Sequence, residues 1–165
     1  MKFDPTIVQT RYASPLGPMI VAATAHGLAG LWFEGQKHLP DTHTWPQQPG
    51  HPVLRQAVAQ LAEYFAGHRT RFDLPLDLQG GTAFQRAVWT ALLGIPAGQT
   101  VSYGAISQRI GKPAAVRAVG AAVGRNPVSV VVPCHRVLGG DGALTGYAGG
   151  LDRKTALLRL EGVLP

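Results

Sequence analysis

The single cysteine of this 165-residue chain, Cys134, is the feature that most constrains its fold. With one thiol, no intramolecular disulfide can form and no zinc site built from several cysteines is possible. The fold must therefore be stabilised by a hydrophobic core. The composition allows this, because 45% of the residues are hydrophobic and only 15% are charged, which excludes a disordered chain. A chain of this length buries roughly 70% of the surface that its unfolded form exposes.

The pattern of apolar residues, glycines and prolines argues against three further classes of protein. No apolar run approaches the roughly 18 residues that a membrane-spanning helix requires. Residues 1–12 contain a lysine but lack the apolar core of a signal peptide. The 21 glycines and 13 prolines follow no regular period, which excludes collagen and favours a turn-rich fold. We therefore expect a protein of the reducing cytoplasm.

The excess positive charge lies entirely in the second half of the chain. The net charge is +6. Residues 1–79 contain six basic and six acidic side chains, whereas residues 80–165 contain nine basic and three acidic ones. A one-sided basic field attracts a polyanion, and nucleic acid is the most common one. Solubility alone is the alternative explanation, and charge does not decide between the two.

The first half of the chain predicts a small sheet with a helix. Apolar runs separated by turn sequences over 12–33 are typical of a meander. Apolar residues then recur at helical spacing over 53–65, and residues 72–78 alternate like an edge strand. The intervening polar segment, 34–51, is interpreted as a surface loop. The spacing of its three histidines matches no metal-binding motif. These histidines are His38, His43 and His51.

A glycine pair marks the predicted boundary between two domains, residues 1–79 and residues 80–165. The first is interpreted as an N-terminal α/β support domain, and the second as the domain that carries the chemistry. After the glycine pair, Thr82 and Gln85 form a capping-box pattern, which predicts a helix that ends at about Leu93.

Two short helices are predicted next. Ser102 can cap a helix that ends at Ile110, and a second helix is expected from Pro113 to about Val123, because proline is favourable at a first helical position. Two short helices joined by a tight turn form a helix-turn-helix pattern, although helix pairs occur in proteins of every function. The second helix is rich in small residues. They either pack against the core or let the backbone approach a DNA groove, with Arg117 projecting from the helix.

The β-branched run 128–132 predicts a buried strand that leads towards Cys134. His135 and Arg136 follow the cysteine directly. Cationic neighbours lower the pKa of a thiol from about 8.5 and populate the thiolate, which is the nucleophile. We therefore expect a reactive cysteine, with a small buried structural residue as the alternative.

A histidine that acts as a base requires an acceptor to hold its second ring nitrogen. Only three carboxylates lie in the basic half. Asp152 is predicted to cap the last helix and Asp141 lies in a glycine-rich turn, which leaves Glu161 as the candidate partner of His135. A carboxylate at a helix C-terminus opposes the helix dipole. This placement indicates a specific partner, with a solvated surface side chain as the alternative.

The glycine-dense segment 139–150 matches neither the P-loop nor the dinucleotide fingerprint, so no nucleotide cofactor is indicated. A loop that wraps closely around a flat ligand, with Tyr147 as a wall, is the better interpretation.

Four short motifs follow one another in the second half: RAVG at 117–120, RNP at 125–127, PCHRV at 133–137 and GYAGG at 146–150. Together they resemble the O6-alkylguanine-DNA alkyltransferases, also called methylated-DNA–protein-cysteine methyltransferases. The match is collinear over about 84–161, roughly half of the chain. The first half agrees with this family only in its length and in its order of strands and helix.

The resemblance implies an α+β fold. A small N-terminal antiparallel sheet with a helix is followed by a helical C-terminal domain, which contains a winged-helix-like helix-turn-helix and a cysteine-bearing active-site turn. It also implies direct-reversal repair of double-stranded DNA. Such proteins flip O6-alkylguanine out of the duplex and transfer the alkyl group irreversibly to a cysteine. O4-alkylthymine is a second expected substrate. No cofactor and no metal are expected, and the protein should be a monomer.

The resemblance further implies the roles of individual residues. Cys134 matches the acceptor thiolate, and His135 matches the base that takes its proton through a water. Glu161 matches the group that orients this histidine. Asn126 matches the asparagine that braces the active-site turn by hydrogen bonds. Tyr103 matches the phenol that donates a proton or a hydrogen bond to the leaving guanine, and it is also counted among the DNA-binding residues.

The DNA-binding surface is implied in the same way. Arg117 matches the finger that enters the base stack in place of the flipped nucleotide, on a helix that lies in the minor groove. The small residues Ala115, Val116 and Gly120 suit that narrow groove. The predicted substrate pocket is lined by Tyr147, Val137, Ala148, Gly149 and Ser129.

The sequence departs from the pattern of some family members in three respects. Ser129 stands where some carry proline, and Ala148 stands where some carry serine. Both changes concern the predicted pocket, so the range of adducts stays open. Some relatives bind a structural zinc through cysteine and histidine in the first half, where this chain has no cysteine.

Two other functions compete with suicide alkyl transfer. A non-catalytic damage-recognition protein would bind DNA and keep Cys134 as a structural residue. A Cys-His hydrolase would turn over repeatedly on acyl substrates without DNA, and the basic half would then have no purpose.

Overall fold

The computed structural model describes all residues, 1–165, and divides into two compact units. The first unit comprises Met1–Gly80 and Pro127–Ser129, and the second comprises Gly81–Asn126 and Val130–Pro165. The first unit contains an antiparallel sheet and a helix, whereas the second is mainly helical. The predicted α+β fold class is thereby confirmed.

Three consecutive strands form the sheet of the first unit. They are β1 (Val8–Ser14), β2 (Gly17–Thr24) and β3 (Gly27–Phe33), paired antiparallel in the order β1-β2-β3. β3 is buried throughout, whereas the outer half of β1 alternates between exposed and partly buried side chains. The turn into β3 requires glycine, because Gly27 has φ +145° and a Cβ there would lie 2.7 Å from the carbonyl oxygen of Pro75. The predicted meander is confirmed.

The helix of the first unit, α1 (Pro52–Phe65), covers the predicted range. The His51 side chain accepts a hydrogen bond from the backbone N–H of Val53, and the proline occupies the first turn. The buried face of α1 repeats at helical spacing and consists of Leu54, Ala57, Leu61 and Tyr64. No helix of the chain is both long enough and apolar enough to cross a bilayer, and α1, with 14 residues, is the longest.

Residues 72–78 do not form the predicted strand. They contact β3 at a single bridge between Leu28 and Leu76. The Leu28 N–H donates to Pro75 O at 2.8 Å, and the Asp77 N–H donates to Leu28 O at 2.8 Å. Pro75 lacks an N–H group, so the pairing cannot continue as a regular ladder on this side.

Four helices and two very short strands build the second unit. They are α2 (Ala83–Leu92), α3 (Tyr103–Arg109), α4 (Val116–Gly124), α5 (Leu151–Leu160), β4 (Val101–Ser102) and β5 (Val137–Leu138). β4 and β5 pair in parallel. Thr82 and Gln85 form the predicted capping box, and Ser102 caps α3 as predicted. The Trp89 indole N–H donates to Ala122 O at 2.8 Å, which ties α2 to α4 inside the core.

Two predicted helix starts are wrong. α4 begins at Val116 and not at Pro113, and no side chain caps it, because the residue at its N-cap is Ala115. The last helix is capped by the backbone of Gly150, whose φ of +93° suits glycine. Asp152 lies in the first turn of α5, where a carboxylate still interacts favourably with the helix dipole.

The predicted strand over 128–132 is also wrong. Only Val128 forms a bridge, to Leu31 of β3. Val130 has φ +72°, in the left-handed region that β-branched residues rarely adopt. The chain therefore turns here instead of continuing as a strand, and the turn leads to Pro133 and Cys134.

Candidate active site

Cys134 begins a short 3₁₀ turn that ends at Arg136. The Cys134 N–H donates to Val132 O at 2.8 Å, and the same carbonyl accepts a hydrogen bond from Asn126 Nδ2 at 2.8 Å. Asn126 is itself buried and follows the end of α4. A buried carbonyl with two donors is well satisfied, so this asparagine fixes the shape of the turn that carries the thiol.

The predicted electrostatics of the thiol are wrong for the resting protein. Cys134 is only 5% exposed, and burial raises the pKa of its thiol. A hydrogen bond from Asn126 and the positive charge of Lys154 lower this pKa, but they do not offset the desolvation. Arg136, which the sequence suggested as an activating cation, pairs with a carboxylate instead. The resting cysteine is therefore a neutral thiol.

His135 and Glu161 form a buried pair. His135 Nε2 lies 2.8 Å from Glu161 Oε2, and the two side chains are 0% and 2% exposed. Burial lowers the pKa of His135, while the Glu161 carboxylate acts in the opposite direction. A carboxylate can only accept, so we assign the proton of the neutral imidazole to Nε2. Nδ1 then carries the lone pair, and it is buried without a hydrogen-bond partner in the protein.

Arg136 holds the same carboxylate from the other side. Its Nε donates to Glu161 Oε1 at 2.7 Å and its Nη2 donates to Glu161 Oε2 at 2.9 Å, a two-pronged arrangement. Its Nη1 donates to Ile95 O at 2.6 Å. Glu161 closes α5 at its C-cap, and its unfavourable position relative to the helix dipole is offset by these contacts.

The predicted DNA-binding residues lie on α3 and α4. Tyr103 begins α3, and a Cβ on Gly120 of α4 would make van der Waals contact with the Tyr103 ring at 3.9 Å. Val116 and Arg117 are exposed at the start of α4, next to its N-cap residue Ala115. The N-terminal end of α4 is therefore exposed to solvent and carries the long cationic side chain of Arg117.

The predicted pocket residues are distributed over several segments. Val137 is fully buried in β5, where it pairs with Val101. Tyr147, Ala148 and Gly149 lie partly or wholly buried in the glycine-dense loop before α5. Ser129 is buried in the first unit, where its N–H donates to Leu31 O at 3.0 Å.

No group of three or more His, Cys, Asp or Glu side chains is close enough together to hold a metal ion. What the site offers chemically is a neutral thiol, a neutral imidazole with one open nitrogen, and a buried ion pair that orients the imidazole.

Comparison with known proteins identifies the family. The model of the 6-O-methylguanine DNA methyltransferase DNA-binding domain matches residues 83–163, and that of the ribonuclease-like domain of the same family matches residues 7–78. A methylated-DNA–protein-cysteine methyltransferase of Mycobacterium bovis is 51% identical over 148 residues, which is 90% of this chain and 88% of the relative. The chain belongs to the methylated-DNA–protein-cysteine methyltransferase family. The resemblance stated from the sequence is confirmed.

Solved structures agree with this assignment to the methyltransferases. The O6-methylguanine methyltransferase of Mycobacterium tuberculosis matches with a TM-score of 0.86 and 48% identity, over 96% of this chain and 95% of that one. The OGT of the same organism, solved in complex with DNA, matches with a TM-score of 0.85 and 48% identity, over 96% and 94% of the two chains.

One charged residue of this methyltransferase was missed by the sequence analysis. Lys154 is fully buried, its Nζ donates to Val137 O directly after the active-site turn, and its charge lowers the pKa of Cys134. A signal was present, because Lys154 lies three and four residues before Leu157 and Leu158 and seven before Glu161, which places all of them on one face of α5. A lysine in the apolar stripe of a helix is rarely an ordinary surface residue.

Proposed function

We propose that this methyltransferase repairs DNA by transferring the alkyl group of O6-alkylguanine, irreversibly and once per molecule, to Cys134. The observation that carries the proposal is the state of His135. Its Nε2 is held by Glu161, while Nδ1 is buried and without a protein partner. A neutral imidazole in this state is a base that lacks only its substrate proton.

The first step is removal of the thiol proton. Burial keeps the thiol protonated at rest, so the thiolate must be generated when substrate is bound. His135 Nδ1 takes the proton through a bridging water. The imidazolium that results is stabilised by Glu161, as the orienting carboxylate of a catalytic triad stabilises its histidine. Burial favours this order of events, because a thiolate that is buried without a partner would be costly.

The second step is an SN2 displacement at the alkyl carbon. The Cys134 sulfur forms a bond to this carbon while the bond from carbon to O6 of guanine breaks, and the electron pair leaves with the base. The Tyr103 phenol donates a proton or a hydrogen bond to the leaving guanine. The product is a thioether. Because a thioether has no easy leaving group, the protein is consumed.

The substrate base must leave the helical stack before it can reach a buried thiol. Arg117, exposed at the start of α4, is the side chain proposed to fill the vacated position, with α4 in the minor groove. The small residues at and near the start of α4 suit this placement. Binding of the related Mycobacterium tuberculosis protein to DNA supports the same class of partner.

Binding to DNA should weaken steeply with salt, because lysine and arginine contacts release counterions from the phosphates. A titration of fluorescent duplex at several salt concentrations measures this slope. Binding that did not depend on salt would rule out the basic half as the DNA-binding surface.

The two halves are proposed to differ in their tasks. Residues 80–165 carry DNA binding and alkyl transfer as a helix-turn-helix domain, and residues 1–79 support them. We further propose that the protein acts as a monomer in the cytoplasm. O4-alkylthymine is the second proposed substrate, and Ser129 and Ala148 are the positions proposed to set the tolerated adduct size.

Single-turnover incubation with duplex DNA that contains O6-methylguanine tests the proposal. Mass mapping should find one CH₂ added to the peptide that contains Cys134, and none after incubation with undamaged duplex. Cys134→Ala should add nothing while still binding DNA. An unmodified Cys134 in folded wild-type protein after complete exposure to damaged duplex would refute it.

The low exposure of Cys134 favours a second candidate, a damage-recognition protein without chemistry, because a buried thiol can be purely structural. In that case Cys134→Ala would retain the full biological effect. Protection of cells against an alkylating agent by wild type and by Cys134→Ala therefore separates the two candidates.

A further inference from the structure

Val130 has the backbone conformation that a valine tolerates least. Its φ of +72° lies in the left-handed region, where the Cβ atom of an L-residue crowds the following carbonyl oxygen. A β-branched residue is an outlier there. The only other non-glycine residue of the chain with a positive φ is His38, which is exposed in a turn. Val130 is instead 1% exposed and lies four residues before the thiol of Cys134.

The segment before Val130 is held by backbone hydrogen bonds within the first unit. Leu31 of β3 donates its N–H to Pro127 O at 2.8 Å and accepts a hydrogen bond from the Ser129 N–H at 3.0 Å. Leu31 and Ser129 are both buried, so water does not compete for these two bonds. Residues 127–129 therefore cannot shift along β3 without losing buried hydrogen bonds.

The segment after Val130 is held as closely within the second unit. Val132 O accepts hydrogen bonds from the Cys134 N–H and from Asn126 Nδ2, both at 2.8 Å. Val132 itself is fully buried. The chain must therefore reverse at Val130 between two fixed positions. This explains why its backbone stays left-handed, although a β-branched residue favours a strand.

A glycine would adopt this conformation without strain, so the presence of a valine requires an explanation. Strained residues persist only where the surrounding structure over-determines them, and they are concentrated at functional sites. A buried β-branched side chain restricts the backbone to few conformations, whereas glycine leaves many open. Valine therefore makes the turn stiffer but less stable than glycine would. The sulfur of Cys134 benefits from a stiff turn, because an SN2 reaction requires it in line with the bond that breaks.

We propose that Val130 is a positioning residue for alkyl transfer: its strained and buried backbone keeps the active-site turn in one conformation, with the Cys134 sulfur directed at the alkyl carbon. This inference rests on the proposed function of Cys134. Val130 acts through the backbone that joins it to the sulfur and takes no part in the chemistry. The turn is less stable than it could be, and the nucleophile is better placed.

Two pairs of variants separate the strain of the backbone from the loss of a side chain. Val130→Ala and Val130→Gly both remove the valine side chain, but only glycine relieves the left-handed conformation. The control pair is Val21→Ala and Val21→Gly in β2, where the valine is also buried and its φ is not positive. Melting temperature, single-turnover transfer from O6-methylguanine duplex and the rate of Cys134 alkylation by iodoacetamide are measured on the full chain.

The melting temperatures should differ in order between the two positions. Val130→Gly should melt above Val130→Ala, because glycine removes the strain that alanine retains. Val21→Gly should melt below Val21→Ala, because glycine weakens the interior of a strand.

The two reactions of Cys134 should respond in opposite directions. Val130→Gly should slow transfer about 100-fold, the loss expected of a nucleophile that is misplaced by about 1 Å, and Val130→Ala should slow it less. Iodoacetamide should alkylate Cys134 faster in Val130→Gly, because a mobile turn exposes a thiol that is only 5% exposed in the wild type. Both Val21 variants should show wild-type rates in both reactions.

The inference would be overturned if Val130→Gly melted below Val130→Ala or transferred the alkyl group at the wild-type rate. A transfer rate that followed the melting temperature across all four variants would show a purely structural valine and overturn it equally. If neither Val130 variant folds, the wild type decides by NMR. A positive φ brings the amide and α hydrogens of one residue close together, so a strong NOE between them in Val130 supports the inference and a weak one overturns it.

Failure of the proposed function looks different. In that case wild-type Cys134 would remain unmodified by damaged DNA. The order of the melting temperatures and the faster reaction of Val130→Gly with iodoacetamide would still be observed, because neither depends on DNA.

Discussion

The imidazole of His135 and the carboxylate of Glu161, 26 residues apart in the sequence, meet at 2.8 Å between Nε2 and Oε2 with both side chains buried. Glu161 also accepts both hydrogen bonds of the Arg136 fork. One carboxylate therefore orients the base and neutralises the cation that follows it. The consequence is that His135 keeps an open, buried Nδ1, next in sequence to a neutral thiol.

Replacement of Glu161 by glutamine should slow alkyl transfer by about 10³-fold, because the amide has one acceptor oxygen for the three donors that the carboxylate serves and no longer stabilises the imidazolium. It should also lower the free energy of unfolding by about 3 kcal/mol, since Arg136 is left buried without its counter-ion. Single-turnover kinetics and urea denaturation measure the two effects. Asp152→Asn, an exposed carboxylate on the same helix, is the matched control: it should leave the transfer rate unchanged and cost less than about 1 kcal/mol of stability, the contribution of the helix dipole.

Replacement of Asn126 by alanine should raise the thiol pKa further, because Asn126 donates a hydrogen bond that lowers it. The buried carbonyl of Val132 also loses one of its two donors, which should cost about 1–3 kcal/mol of stability. Iodoacetamide reactivity as a function of pH measures the pKa of the thiol, and thermal unfolding measures the stability. An unchanged pH profile would show that the asparagine acts on the backbone alone.

Replacement of Arg117 by alanine should weaken repair of duplex DNA with little loss on a free O6-alkylguanine base. The free base needs no extrusion, so a residue that fills the vacated stack has no role in its reaction. Transfer rates with both substrates give the comparison, and Arg55→Ala, an exposed arginine on α1, is the control. Equal losses on both substrates would exclude the finger role of Arg117.

The acidic side of the pH–rate profile should report the protonation of His135. The histidine must be neutral to accept a proton, and burial lowers its pKa below 6.5. The transfer rate should therefore stay constant as the pH falls to 6.5 and decline only below pH 6.5. Stopped-flow transfer measured between pH 5 and pH 7 checks this. A decline centred above 6.5 would mean that the imidazole is more basic in solution than its burial allows.

The alkaline side of the pH–rate profile should report the protonation of Lys154. This lysine loses its proton as the pH rises through its pKa of about 8. Loss of that charge removes stabilisation of the thiolate, so the wild-type rate should fall above this pH even though the thiol deprotonates more readily there. Lys154→Arg keeps its charge throughout, and its rate should not fall in the same range. The two profiles, measured with the free base, separate Lys154 from DNA binding.

Local sequence alone was enough to predict the elements whose signals are local. The capping box of Thr82 and Gln85, the cap at Ser102, the meander and α1 all depend on residues within a few positions of one another, and the structure shows each of them. The family could be assigned from four short motifs for the same reason. The predictions of structure that failed, at Pro113, at Asp152, over 72–78 and over 128–132, depend on how a chain turns under tertiary constraint, as the left-handed backbone of Val130 shows.

What the sequence by itself determined about this protein is therefore its meander, the presence of its helices and its family, with Glu161 as the candidate partner of His135. Only the tertiary structure decided the charge state of the thiol and the place of Lys154. Desolvation depends on every atom that excludes water from a group, and these atoms come from distant parts of the chain. Adjacent cations suggested a thiolate, whereas burial favours a neutral thiol until substrate arrives.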